Sequence, residues 1–343
     1  MFDDSKTKTV LQVEDLKMHF PLIKGLMRRR VGTVKAVDGV SMTVQQGETV
    51  ALVGESGCGK STLGRTILRA YEPTAGHIHY NPRGSDNVVD LAGLNNNEMQ
   101  KYRPDLRMIF QDPFTSLNPR LPVVDIISEP LRANKIAEGV EAKDRVADIM
   151  RKVGLRPEYM ERYPHAFSGG ERQRIVIARA LVTNPHIVVA DEAVSALDVS
   201  VRAQTLNLLQ DLQDELDLTY LFVSHDLSVV EHIADRIAVM YVGRLVEFAR
   251  AEDLFRRPLH PYTEALFSAI PIPHPKLRGK QHRVQLPGDV ADPANPPSGC
   301  PFHPRCAYAR DICKKEVPEL AETGSGRTVS CHRADELALK GVL

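Results

Sequence analysis

GESGCGKST, at positions 54–62, fits the pattern G-x-x-x-x-G-K-[ST]. In that pattern glycines let backbone N–H groups approach a nucleotide's phosphates, the lysine meets the β and γ phosphates, and the next hydroxyl holds Mg²⁺. The site would run through Gly54, Glu55, Ser56, Gly57, Cys58, Gly59, Lys60, Ser61 and Thr62. Cys58 takes a variable position of the loop as a small space-filler, where an oxidant or alkylating agent would block the nucleotide. TVALV at 49–53 reads as a buried strand and TLGRTILRAY after the loop as a helix, the context the motif requires.

Working outward, VLQVEDLKMHF at 10–20 and the apolar run at 40–53 read as strands, with QQGE at 45–48 as a turn. The basic stretch KGLMRRRVGTVK between them is either a solvated loop or a contact for anionic lipid or a partner. A polar loop at 81–100 leads to a strand at 107–110, and a mainly helical stretch covers about 114–183. Strands return at IVVA (187–190), YLFV (220–223) and RIAVMYV (236–242), with helices between them. Strands alternating with helices predict an α/β fold with a mostly parallel sheet covered on both faces. Beyond Phe255 the chain becomes rich in Pro, Gly and Cys, which predicts a loop-dominated appendage starting near residue 258.

Composition narrows the function. The 343 residues suffice for one large domain plus an appendage, and 44 basic and 44 acidic side chains cancel, so no global field favours nucleic acid. The N-terminus lacks the layout of a secretory signal, and no run of about eighteen apolar residues occurs. A cytosolic chain doing any membrane work through partners is expected.

Two further segments carry chemistry. HIVVADEAVSALD at 186–198 ends an apolar strand in Asp191 and Glu192, placed for Mg²⁺-bound water and an attacking water. FSGGERQR at 167–174 opens a helix, so Ser168, Gly169 and Gly170 offer a hydroxyl and free amides where the helix dipole favours an anion.

The ordered set of P-loop, Gln111 after a strand, SGGE, Asp191-Glu192, SALD and a lone His225 after another strand resembles an ABC-type ATPase over roughly residues 10–250. The resemblance implies ATP as ligand: Lys60 and the amides of 57–62 on its phosphates, and Ser61 and Gln111 near Mg²⁺. It also implies that Asp191 holds the metal's water, Glu192 polarises the attacking water, His225 senses the γ-phosphate, and Phe20 or His19 stacks on adenine. Ser168, Gly169 and Gly170 would close over ATP in a second ATPase domain, with Asp198 linking the sites. Two departures stand out: FSGGE where LSGGQ is common, and DEAVSALD where DEPTSALD is common.

Cys300, Cys306, Cys313 and Cys331 lie in the Pro-rich tail, and in a reducing compartment such a group reads as a metal site or as free thiols. Their spacing matches neither zinc-finger nor ferredoxin patterns well. KAVDGVS at 35–41, FQDPFTSLNPR at 110–120, HPYTEALFSAIPIP at 260–273 and PSGCPFHPRC at 297–306 are similar to the ATPases of dipeptide and oligopeptide uptake transporters. That resemblance implies domains at 1–258 and 259–343, a [4Fe-4S] cluster on the four cysteines ahead of zinc, and His303 and His332 as subordinate ligand candidates. It implies two transmembrane permease subunits, a second ATPase subunit that is either a copy of this chain or, as relatives usually have it, a different one, an extracytoplasmic substrate-binding protein acting indirectly, and a place at the cytoplasmic face of the membrane. The segment after Gln111, DPFTSLNPR, would contact the permeases. Relatives that move nickel chelates or oligosaccharides leave the cargo open, and a non-transport ABC ATPase is the rival that the single cassette and absent heptads disfavour.

Overall fold

The computed structural model describes residues 8–25, 29–85, 87–270, 283–324 and 326–342. Parts of the basic stretch at 24–35 and of the segment at 260–273 lie outside them. The strands are β1 (Thr9–Lys24), β2 (Arg29–Gln45), β3 (Thr49–Val53), β4 (Ala75–Tyr80), β5 (Val89–Asp90), β6 (Leu106–Ile109), β7 (Ile187–Asp191), β8 (Thr219–Val223), β9 (Arg236–Tyr241), β10 (Arg244–Arg250), β11 (Ala321–Thr323) and β12 (Arg327–Val329). The longer helices are α1 (Lys60–Ile67), α2 (Val123–Ala133), α3 (Gly139–Lys152), α4 (Gly169–Leu181), α5 (Val199–Leu216), α6 (Leu227–Ile233), α7 (Ala251–Arg256) and α8 (Pro261–Ser268). Much of the basic stretch is therefore strand: Arg29 to Lys35 belong to β2.

The described residues form two compact units. The first draws on the described residues up to Gln12, on Thr43–Thr49 and on those of His79–Val223. Here β6, β7 and β8 run parallel in that order, Ala190 beside Ile109 and Phe222. IVVAD and TYLFV are buried at every position, which explains why both read as unbroken apolar runs rather than alternating ones. Helices α2, α3 and α4 pack on one another in the stretch expected to be helical.

The second unit comprises Val13–Met42, Val50–Ile78 and Ser224–Leu343. β3 lies parallel to β9, β9 turns back as β10, and β12 and β11 extend this sheet antiparallel. This division does not follow the boundary expected near residue 258, because residues on both sides of 258 share one core. Val53, Val239 and Tyr241 cluster there with Tyr262, Phe267 and Phe302. The Pro-rich tail thus buries large aromatic anchors without any periodic pattern.

Glu247 of β10 is fully buried and accepts hydrogen bonds from the Leu259 amide (2.8 Å), the His260 amide (3.0 Å) and Arg327 Nη2 (2.9 Å). Burial raises its carboxyl pKa, while the two amides and the Arg327 charge oppose it.

His260, whose Nδ1 accepts the Tyr262 amide at 3.0 Å and caps α8, is pushed down to about 3 by burial. In the first unit, burial and the charge of Arg83 push His186 down to about 4. Both stay neutral when folded but protonate near 6.5 when unfolded, so the unfolded chain binds more protons below that pH. Stability is therefore expected to be full above about pH 6.5 and to fall below it by about 1.4 kcal/mol per pH unit for each histidine. Urea unfolding followed from pH 7.5 to about 5 checks the slope. His260→Asn, which retains a capping acceptor, should flatten it; a slope equal to that of the parent would contradict this account.

Candidate functional site

The phosphate loop joins β3 to α1 in the second unit. Its glycines are required by geometry. Gly54 has φ 147° and an added Cβ would lie 2.2 Å from the Met240 carbonyl oxygen; Gly59 has φ 106° and its Cβ would meet the Ala36 oxygen at 2.1 Å. Gly57, at φ 81°, faces open space, and Ser56 is exposed. Lys60 is buried and its Nζ donates to Gly54 O (2.7 Å) and Glu55 O (3.0 Å), so the lysine is folded back on its own loop. Ser61 and Thr62 start α1 and are partly exposed.

Cys58 is 1% exposed, and burial raises its thiol pKa against the lowering influence of Lys60. A buried protonated thiol is a poor nucleophile, and its burial suits the small space-filler expected at this position.

Glu55 is held from the C-terminal region. Its amide donates to the Tyr262 hydroxyl at 2.8 Å, and its carboxylate takes both arms of Arg305, at 2.7 and 3.1 Å. Neither Tyr262 nor Arg305 was expected at this loop, since 250 residues separate Glu55 from Arg305 and nothing local marks the pairing.

In the same unit His225 is exposed, just beyond β8, between Ser224, whose amide donates to Leu52 O of β3, and Asp226, which caps α6. Phe20 is half-buried with its ring edge-on to Tyr71 at 5.5 Å. His19 instead contacts Asp38 at 3.0 Å. Burial alone would raise the Asp38 pKa, but Arg244, Lys35 and His19 together bring it below the ordinary value. His19 thus joins Arg244 and Lys35 around Asp38, while the Phe20 ring packs on Tyr71.

The first unit carries the other candidates. Asp191 ends β7 and is 3% exposed. Glu192 follows with φ 49°, a left-handed conformation uncommon outside glycine, fixed by its amide to Val223 O (3.0 Å) and by Ser195 Oγ and N on its carbonyl. Gln111 Nε2 donates to Glu192 Oε2 at 2.6 Å, so the fold brings these two predicted residues together.

Ser168 caps α4 in a reciprocal box: its Oγ accepts the Glu171 amide at 3.3 Å, and the Glu171 carboxylate accepts the Ser168 amide at 2.8 Å. These bonds depress the Glu171 pKa, so the unusual E of FSGGE serves as a cap that a charge suits. Gly169 is open, but a Cβ on Gly170 would come within 2.8 Å of Val201 Cγ1 in α5. Asp198 caps α5 by accepting the Val201 amide at 3.0 Å and Ser200 Oγ at 2.8 Å, bonds that lower its pKa. The SGG turn and the SALD turn are thereby neighbours.

Cys300, Cys306, Cys313 and Cys331 are free thiols lining one cavity of about 20 Å³. Gly299 makes this possible: at φ 69° a Cβ would lie 2.5 Å from Cys313 O. Burial, with smaller contributions from neighbouring thiols, raises Cys300 and Cys331 to about 11. His303 Nδ1 and His332 Nε2 contact the backbone oxygens of Cys300 and Glu316, which commits those nitrogens as donors. Among the described residues no group of three or more His, Cys, Asp and Glu side chains is placed to hold a metal ion. Convergence of the thiols is observed; a ligand geometry is not.

Residues 37–195 match the ABC transporter family and residues 246–313 match the oligopeptide/dipeptide transporter C-terminal region. The oligopeptide transport ATP-binding protein AppF of Bacillus subtilis (strain 168) is 49% identical over 326 residues, covering 95% of this chain and 97% of that protein. The chain belongs to the ATP-binding proteins of the oligopeptide/dipeptide ABC transporter family. Within that family the dipeptide transport ATP-binding protein DppF of Escherichia coli (strain K12) is 47% identical, covering 95% of each chain. The dimeric structure of MJ0796, a bacterial ABC transporter cassette, aligns with TM-score 0.59 and 26% identity over 70% of this chain and 98% of that one. Like its family, the chain is an ABC-type ATPase that hydrolyses ATP to ADP and phosphate in the service of transport. No helix among the described residues is long and apolar enough to cross a membrane.

Proposed function

We propose that the chain is the ATP-hydrolysing, energy-coupling subunit of an importer for di- or oligopeptides, working as a peripheral subunit at the cytoplasmic face of the membrane. The observation that carries this reading is the pairing of a complete ATPase motif set with the oligopeptide/dipeptide C-terminal region in one chain. Its partners are two transmembrane permeases, a second ATPase chain and, indirectly, an extracytoplasmic substrate-binding protein, with DPFTSLNPR at 112–120 as the permease contact.

In this reading Lys60 leaves Gly54 O and Glu55 O for the β and γ phosphates, and the loop amides follow it. Asp191, Ser61 and Gln111 are the residues for Mg²⁺, which when bound would neutralise developing phosphate charge. Glu192 orients the attacking water and His225 reports the γ-phosphate. Ser168, Gly169 and Gly170 address the ATP of the second ATPase, with Asp198 beside them; because the Ser168 hydroxyl also contacts Glu171 at 2.7 Å, that hydroxyl must rotate to engage a phosphate. Phosphoryl transfer to water needs mainly positioning and charge stabilisation, which these groups supply. Domains at 1–258 and 259–343 remain the functional division, ATPase and family-specific region.

We read the cysteine cavity as a [4Fe-4S] site of structural purpose. Four thiols converging on one small cavity favour a soft cation that would hold them as thiolates. Anaerobically purified protein is expected to contain iron and acid-labile sulfide in equal amounts, lost together on Cys306→Ser; stoichiometric zinc without iron would reject the cluster.

The importer itself is tested by identifying what accompanies the tagged chain from gently solubilised membranes. Two multi-spanning proteins and a second ATPase are expected. A chain recovered with ribosomes or DNA would overturn the proposal.

A further inference from the structure

We propose that Tyr262 and Arg305 are positioning residues of the ATPase site, which hold the phosphate loop open from the C-terminal region by gripping its Glu55 peptide. The inference rests on the ATPase reading and adds to it a role for residues outside the nucleotide motifs.

Every hydrogen-bonding function of Glu55 is committed. Its amide goes to Tyr262, its carboxylate to Arg305, and its carbonyl oxygen to Lys60, the residue that must reach the phosphates. Glu55 sits between Gly54 at φ 147° and Gly57 at φ 81°, so the chain on either side has little stiffness of its own. The holding groups are themselves fixed. The Tyr262 side chain is fully buried, with its ring centroid 4.8 Å from Tyr241 and 5.4 Å from Phe302. Arg305 is 8% exposed, and its Nε donates to Pro287 O at 3.2 Å, which leaves the two terminal nitrogens aimed at Glu55. A forked guanidinium on a carboxylate fixes direction as well as distance, and neither partner can turn without losing one of two bonds.

The consequence concerns Lys60. In this state its ammonium is satisfied by Gly54 O and Glu55 O; when it departs for a nucleotide, Gly54 O loses that donor and Glu55 O keeps the longer bond from the Cys58 amide at 3.3 Å. A loop secured at Glu55 by two outside contacts keeps its shape through that exchange. A loop without them must be ordered by ATP itself, and the ordering is subtracted from affinity. The turn His303–Arg305 lies between Cys300 and Cys306, so whatever orders the cysteine cavity also orders the Arg305 grip.

The test uses the full chain purified with its native metal content. Tyr262→Phe removes only the hydroxyl and keeps the aromatic packing, and Arg305→Gln removes the fork. For each, KM and kcat for ATP are measured beside the dissociation constant for a fluorescent ATP analogue and the melting temperature. Expected is a rise of about ten- to a hundredfold in KM and in the dissociation constant, with kcat nearly unchanged and melting little altered for Tyr262→Phe. Glu55→Gln combined with Arg305→Gln should be no worse than either alone, because both remove one contact. Unchanged nucleotide affinity in Tyr262→Phe and Arg305→Gln overturns the proposal, as does additive loss in the double variant. Failure of the ATPase reading looks different: the unmodified protein would itself bind no ATP.

Discussion

Glu192→Gln is expected to bind ATP as the parent does and to turn it over about a hundred- to ten-thousandfold more slowly, the range that a positioned acid–base group contributes. The local geometry supports so specific an effect. Glu192 is held in a left-handed conformation by its amide on Val223 O and by Ser195 on its carbonyl, so the backbone fixes where the side chain begins. Gln111 then fixes where it ends, through a 2.6 Å bond to one carboxylate oxygen. In the proposed role this anchored carboxylate orients the attacking water. Glutamine has the same shape and can still accept from Gln111 through its carbonyl, so binding should survive while the acceptor for a water proton is lost. Size-exclusion chromatography with ATP should show an accumulated closed dimer. Normal turnover, or loss of ATP binding along with activity, would remove Glu192 from this role.

The second large effect concerns stability. Arg327→Met is expected to cost about 3–5 kcal/mol, because it strips the counter-charge from a carboxylate that is fully buried in β10. Two amides remain on Glu247, but they do not replace a cation. The deficit should shrink as the pH falls, since a protonated Glu247 no longer needs the arginine and burial already raises its pKa. Glu247→Leu combined with Arg327→Met should recover much of the loss. Denaturant unfolding at two pH values measures both outcomes; a single variant as stable as the parent at neutral pH would show that the pair contributes little.

Much of the fold was legible, and the reason differs by element. β3, β7 and β8 are buried at every position, so the chain writes them as unbroken apolar runs. The motif loops were legible because phosphate chemistry dictates their residues. β10 was missed. Its hairpin with β9 turns through Val242 and Gly243, both with positive φ, and a β-branched residue in that position gives none of the Asn-Gly signal by which such turns are read. The aromatic anchors of the C-terminal region were equally hard to read, for a different cause: Tyr262, Phe267 and Phe302 stand isolated in Pro-rich sequence, and they pack against residues of β3 and β9 outside that region. The Glu55–Arg305 pair shows the limit most plainly, since 250 residues separate the partners and nothing beside either marks the other.

The sheet of the second unit has one more consequence, in how the molecule avoids sticking to itself. β10 is nearly all buried, and an open flank on such a strand would be a template for any other extended chain. The C-terminal region closes that flank with β12 and hands the exposed margin to β11, a strand of three residues carrying the solvent-facing Glu322. A margin so short and charged offers little for a neighbour to zip onto. The last strands of the chain thus cover an edge that an ATPase core cut away from them would leave open to pairing.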